Sequence, residues 1–296
     1  MKIPTQLAFY VWRPAAWLRV GGADAESFLQ GQFTNDLRNP PPRSAVYGLW
    51  LNVKGRVLAD SFVLRAAAAN EFWVGSYFSP AAAIRERLES FVIADDVVIE
   101  DATGNWGGVT LMGEGARSFA ANLQGDGLLF SGRRGGGENV EWVFPATQLP
   151  ALRAQLAGGR EVSGEEMTRR RIAAGIAAVP VDIGPGDLPN EGGLDADAIS
   201  FTKGCYLGQE VMARLKSMGQ VRRRVLRVAG AGDAIPALPA PLWVGARQVG
   251  ELRSAVRDGA GGLVGLAMLS LLHLKPDGRL ALSPDGEPTM RVVDSP

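Results

Sequence analysis

The chain of 296 residues is longer than one hydrophobic core usually supports, and 31 Lys+Arg balance 31 Asp+Glu, so several domains are expected and direct nucleic-acid binding is not. One cysteine and one histidine cannot furnish the roughly four ligands of a zinc or iron–sulfur site unless a partner shares it. A lone cysteine also excludes an intrachain disulfide, which points to a reducing, cytoplasmic setting.

The stretch "MKIPTQLAFYVWRPAAWLRV" holds only a short apolar run broken by Arg13 and Pro14, without a cleavage-site pattern, and reads as mature protein. Ala25, Phe28, Leu29, Phe33 and Leu37 then recur at helical spacing behind Asp24, a candidate N-cap. Three prolines at 40–42 precede "AVYGLWLNVKGRVLADSFVLRA", whose loose alternation around an Asn52–Gly55 turn predicts a β-hairpin. "EFWVGSY" adds a strand, and Ser79 with Pro80 is an N-cap and N1 signature for a helix carrying Ala83, Ile84, Leu88, Phe91 and Val92.

"WGGVTLMG" and "VEWVFPA" read as strands, while the glycines of "SGRRGGGEN" (131–139) follow no clear strand and read as a flexible loop. Thr147 is placed to cap "QLPALRAQLAG", and Ser163 with Glu166 forms a capping box opening "EEMTRRRIAAGI". Strands and helices mix without strict alternation, so the fold class is α+β. From Val221 the helical signals stop, and short β-like runs between Gly and Pro clusters predict a small β-barrel over 221–296. Within it, "LVGLAMLSLLHL" (263–274) is about half the ~20 residues of a membrane-spanning helix and reads as a buried element; no membrane association is expected.

The chemistry concentrates in "VPVDIGPGDLPNEGGLDADAISFTKGCYLGQEVMAR" (179–214), far longer than an ordinary connection and apolar enough to be ordered. Cys205 sits near the start of a predicted helix "GQEVMARL", where the helix N-terminus and the Lys203 ammonium would favour its thiolate. Burial as a small apolar group in a turn is the other reading, and the residues alone leave both open. A Cys205–His273 dyad has no local support. Asn35 and Asp36 cap the end of the first helix or face an opening, and Lys54, Arg56 and the run Arg222–Arg224 are expected on solvated faces.

"TKGCYLGQEVMAR", "FLQGQFTNDL" (28–37), "LNVKGRVLAD" (51–60) and "DIGPGDLPNEGGLDADAISF" resemble, in order, the folate-binding YgfZ family, which is related to the T-protein, or aminomethyltransferase, of the glycine cleavage system. The resemblance implies two interleaved α+β subdomains around a central tetrahydrofolate pocket (residues 1–220) and a C-terminal β-barrel (221–296). It implies an accessory role for iron–sulfur enzymes, such as tRNA methylthiolation enzymes, or for cluster assembly proteins; a folate-dependent aminomethyltransferase or demethylase, and a scaffold without ligand, are the alternatives. Lys203, Cys205, Tyr206, Gln209 and Glu210 would form the functional surface, with Lys203, Cys205 and Asp60 in catalytic positions. By position against the T-protein, Glu141 would be the pterin-binding acid and Arg171 a tail-binding or structural arginine. The T-protein's acidic pair reads Ala59 and Asp60 here, a departure that impairs aminomethyl transfer if the missing acid positions the amine.

Overall fold

The computed structural model describes residues 7–38, 40, 44–219, 221–232 and 234–294, so the first six residues and Pro41 and Pro42 of the proline break lie outside the described residues. Strands β1 (Ala8–Trp12) and β2 (Ala16–Gly21) precede helix α1 (Ala25–Gln32), and β3 (Val46–Leu51), β4 (Val57–Arg65) and β5 (Glu71–Ser76) lead to α2 (Ala81–Glu89) and β6 (Val98–Asp101). Next come β7 (Trp106–Met112), α3 (Ala116–Ala120), β8 (Leu128–Ser131), β9 (Asn139–Pro145), α4 (Leu149–Gln155), β10 (Arg160–Glu161) and α5 (Gly164–Ala173). After the long loop follow α6 (Gln209–Met218), β11 (Arg223–Ala231), β12 (Ala240–Val244), β13 (Arg247–Arg257), β14 (Gly262–Ser270), β15 (Arg279–Leu280) and β16 (Met290–Val292).

Three sheets result, ordered β3-β4-β5-β2-β6, β10-β1-β7-β9-β8 and β12-β13-β14-β11-β16-β15. The first two interleave because β1 pairs with β7 and β10, whereas β2, only Arg13 to Ala15 later, pairs with β5 and β6. Period-2 alternation gives each sheet two apolar faces. Leu18, Val20, Val63 and Val74 face α1 and α2, whereas Trp17, Phe62 and Leu64 point the other way, to Trp12, Phe130 and Val143 of the second sheet. An aromatic seam therefore joins the two sheets, with Phe62 rings 4.9 Å from Tyr77 and 5.2 Å from Phe130. The third sheet is the expected barrel, nearly closed by a bridge between Trp243 and Ala281. The 263–274 segment supplies its central strand β14, paired on both sides.

Several local expectations are corrected. Helix α1 stops at Gln32: Phe33 is extended and bridges Trp50, and the Asp24 carboxylate accepts from the Asp96 N–H rather than capping. Ser79 does not cap α2, because its hydroxyl is spent on Asp60 and the Val179 carbonyl, and Ala83 faces solvent. Thr147 lies inside a short 3-10 turn, so α4 begins without a side-chain cap. The capping box is half formed: Ser163 accepts from the Glu166 N–H at 3.1 Å, but the Glu166 carboxylate turns to Arg160 and Arg170. The 131–139 segment does follow a strand, β8, and buries Arg134.

Candidate functional site

Two buried carboxylates flank the aromatic seam. Asp60, on β4 opposite Leu49 of β3, is 5% exposed. Its Oδ1 accepts from Ser76 Oγ at 2.6 Å and Ser79 Oγ at 2.7 Å, and its Oδ2 from the Tyr47 hydroxyl at 3.0 Å. Burial pushes the carboxyl above its usual range, against the pull of these hydroxyls and of Arg133. Ala59 beside it is buried as well. Arg133 stacks over Tyr47 at 4.5 Å and clasps Asp197 with contacts of 2.9 and 3.2 Å.

Glu141, on β9, is fully buried. Its Oε1 accepts from the Tyr77 hydroxyl at 2.8 Å, and its Oε2 from Thr110 Oγ1 at 2.8 Å and Trp12 Nε1 at 3.1 Å. Burial raises its pKa too, opposed first by Arg134, whose Nε lies 3.6 Å from Oε1. The Arg134 guanidinium sits 3.7 Å from the Tyr77 ring and 4.4 Å from Trp12. Sequence reading missed both arginines, Tyr47, Tyr77 and Trp12. The paired arginines inside a glycine-rich turn were the available signal.

The Cys205 motif forms a third cluster. Lys203 is not a surface group: it is 4% exposed, and its ammonium donates to the carbonyls of Gln30 (2.7 Å), Phe33 (2.6 Å) and Asn35 (2.9 Å). Burial lowers its pKa to about 8. That charge is turned toward the C-terminal end of α1 and its following turn, so the expected activation of the thiol by Lys203 is corrected. Cys205 itself is exposed, ahead of α6 rather than on it, which overturns the buried packing role. Tyr206 is buried, its hydroxyl pushed up to about 12 by burial, while Gln209 is half-buried and Glu210 exposed on the first turn of α6. Gly208 has φ +88°, and a Cβ there would stand 3.1 Å from the Asn52 carbonyl. The motif thus presses directly on the β3–β4 hairpin turn.

Asn35 joins the clusters, donating to the carbonyls of Tyr47 at 2.8 Å and Asp197 at 3.0 Å, while Asp36 closes the end of α1 through Gln30. Arg171 is buried and donates to Asp182, to the Ile176 carbonyl at 2.7 Å and to Ser254 Oγ at 2.9 Å, ties that suit the structural reading of this residue. Lys54 is exposed, Arg56 holds the Gly186 carbonyl, and Arg223 pairs with Glu191 and Asp187 while Arg222 and Arg224 face solvent. His273 meets Arg247 at 3.0 Å, and no hydrogen bond joins it to Cys205 among the described residues. No group of three or more His, Cys, Asp or Glu is placed to hold a metal among the described residues, and no described helix is long and apolar enough to cross a membrane.

Residues 14–129 match the GCVT N-terminal domain. The chain carries a GCVT domain. With it comes the whole aminomethyltransferase-like fold: the structure superposes on the glycine cleavage system aminomethyltransferase T of Bartonella henselae with a TM-score of 0.79 and 17% identity, over 98% of this chain and 85% of that one. In sequence, the GCVT-containing chain is 31% identical over 229 residues to the human mitochondrial iron–sulfur cluster assembly factor IBA57, covering 71% of this chain and 63% of that protein. The mouse IBA57 is 29% identical over 273 residues (86% and 75%), and the homolog from Aspergillus clavatus 28% over 262 residues (74% and 57%). The chain thus spans less than two thirds of the human and Aspergillus proteins. These relatives are named mitochondrial, which overturns the cytoplasmic expectation; a single cysteine excludes a disulfide in any compartment and carries no address.

Proposed function

We propose that the chain is a tetrahydrofolate-binding accessory protein of the YgfZ type that supports assembly or repair of iron–sulfur enzymes, tRNA methylthiolation enzymes being one class of client. The relatives, named as iron–sulfur cluster assembly factors, support the pathway, and the environment of Asp60 supports an accessory role over group transfer. The one acid left at the position of the T-protein pair is buried and bonded to Tyr47, Ser76 and Ser79, and its neighbour is Ala59. Three of that carboxylate's four acceptor sites are filled by hydroxyls, one on Oδ2 is left, and no second acid stands beside it to help position an amine.

The residues around Glu141 fit a pterin in kind: Tyr77, Thr110 and Trp12 fill three of the carboxylate's four acceptor sites, the one left on Oε1 lies on the side of Arg134, and Trp12, Tyr77 and Phe78 supply walls. Tetrahydrofolate, when bound, supplies a reduced ring able to carry a one-carbon unit. In the same reading Glu141 orients that ring, the seam excludes water, and the exposed Cys205 is the contact for a sulfur or metal cargo, held outward because Lys203, Tyr206 and Gly208 anchor its turn. The folate-binding region covers residues 1–220 and the barrel 221–296, a division supported by the start of the barrel sheet at Arg223.

Anaerobic calorimetric titration with tetrahydrofolate, followed by an assay for amine-dependent one-carbon transfer, tests this reading. Saturable micromolar binding without turnover is expected. Turnover of a glycine-derived amine would make the chain an aminomethyltransferase, and absence of binding at millimolar ligand would remove folate from the account.

A further inference from the structure

Two arginines in this fold are almost wholly buried against a carboxylate, and they are held very differently. Arg171 donates from Nη1 to Asp182 and the Ile176 carbonyl and from Nη2 to Ser254. Arg134, 7% exposed, donates no side-chain hydrogen bond among the described residues, and its buried Nε has no partner. The 3.6 Å from that Nε to Glu141 Oε1 is an ion contact beyond hydrogen-bond length. What does hold the guanidinium is stacking: its Cζ lies 3.7 Å from the Tyr77 ring, 4.4 Å from Trp12, 5.6 Å from Tyr10 and 5.9 Å from Phe78.

A planar N–C–N fork stacked on aromatic rings and directed at a buried carboxylate has the recognition chemistry of the 2-amino-4-oxo edge of a pterin. We infer that Arg134 occupies the ligand position as an internal stand-in, and that a ligand with such an amidine-type edge enters by displacing the β8–β9 loop. The inference rests on the folate reading of this pocket and adds to it a competitor encoded in the chain. The loop is held at both ends and open at its glycines. Arg133 is clasped by Asp197 and donates its backbone N–H to the Tyr77 hydroxyl at 3.2 Å, whereas beyond Arg134 run Gly135, Gly136 and Gly137. Gly137 has φ +81°, and a Cβ at Gly136 or Gly137 would meet nothing within 4 Å, so this side of the loop has room. Asn139, the first residue of β9 and paired with Met112, ties the loop to the sheet through its side chain, donating at 3.1 Å to the Gly135 carbonyl and 3.0 Å to that of Gly137 and accepting from the Arg134 N–H at 3.3 Å, so these are the bonds a displaced loop gives up.

The apparent affinity of such a pocket falls by the fraction of molecules in which Arg134 is withdrawn, so a stand-in seated about nine-tenths of the time costs about tenfold in Kd. The test is anaerobic calorimetric titration of tetrahydrofolate into wild type, Arg134→Ala and Arg134→Lys, with folding checked by thermal melting. Binding at least about tenfold tighter to Arg134→Ala than to wild type is expected, as is a gain in the same direction for Arg134→Lys, whose ammonium lacks the planar fork. Equal or weaker binding to Arg134→Ala overturns the inference while leaving the folate reading intact. If neither protein binds folate, that reading fails, and N-ethylguanidinium titrated into Arg134→Ala decides this one. Saturable binding absent from wild type and from the Arg134→Ala, Glu141→Gln double variant sustains the stand-in; its absence overturns it. Failure of both single variants to fold also overturns it, since Arg134 would then be a structural residue.

Discussion

Asp60 carries a proton-linked signature that separates it from the surface carboxylates. Its folded pKa lies above the ordinary 3.8, so its contribution to stability is fully present below 3.8 and is lost as pH rises through the folded value. Asp36 and Glu166, drawn down mainly by Arg38 and Arg160, run the opposite way, which is why a difference is needed to isolate the buried acid. Urea unfolding of wild type and Asp60→Asn across pH is expected to show the wild type losing stability relative to the variant as pH climbs above 3.8. A pH-independent difference would place Asp60 in water. Lys203 gives a second residue-level outcome: Lys203→Met strands three carbonyls of the α1 end and is expected to cost about 2–4 kcal/mol, read from the urea midpoint. A loss below about 0.5 kcal/mol would mean those carbonyls have other donors.

At the scale of elements, Gly208 decides whether the Cys205 turn can seat on the β3–β4 hairpin. Gly208→Ala adds a methyl at φ +88° and 3.1 Å from the Asn52 carbonyl, and is expected to destabilise by more than about 1 kcal/mol in thermal unfolding. Ser163→Ala, which removes the one cap bond of α5, is expected to cost about 1 kcal/mol by the same measurement. The elements themselves were legible in the sequence, because alternation and helical spacing are local: the hairpin, β5, α2, α5 and the barrel strands lie where the pattern put them. Caps were less so. Ser79 looked like an N-cap, yet tertiary structure spends its hydroxyl on Asp60 and Val179. The site was half legible. Asp60, Glu141 and the Cys205 motif stood out by residue type and resemblance, but Lys203 bonds carbonyls about 170 residues away, which no local pattern encodes. Arg133 and Arg134 were hidden because a glycine-rich turn looks solvent-facing until the sheets close over it.

Across the whole molecule, the interleaving of β1 and β2 commits the first two sheets to fold together, whereas the barrel docks on the rest of the chain through arginine links made by Arg169, Arg171, Arg223, Arg227 and Arg253. Arg171 is the most buried of these, tying α5 to Asp182 and to Ser254 on β13, beside the apolar contact of Ile172 with Val256 and Leu266. Arg171→Ala leaves Asp182 buried and short of a cation, and is expected to cost about 3–5 kcal/mol, with the earliest loss of amide-exchange protection in β13. Uniform loss of protection over all three sheets would mean that the barrel and the interleaved sheets unfold as one unit.

The central claim, that this fold serves iron–sulfur enzymes through the exposed turn at Cys205, is met most directly in cells lacking their own IBA57-type protein. The measurement is the activity of a [4Fe–4S] enzyme in extracts of such cells expressing either this chain or its Cys205→Ser variant at equal soluble levels. The account predicts restored activity with the wild-type chain and little or none with the variant, whose fold should be unchanged because the thiol is exposed. Equal restoration by both would remove Cys205 from the function, and no restoration by a soluble wild-type chain would contradict the iron–sulfur role itself.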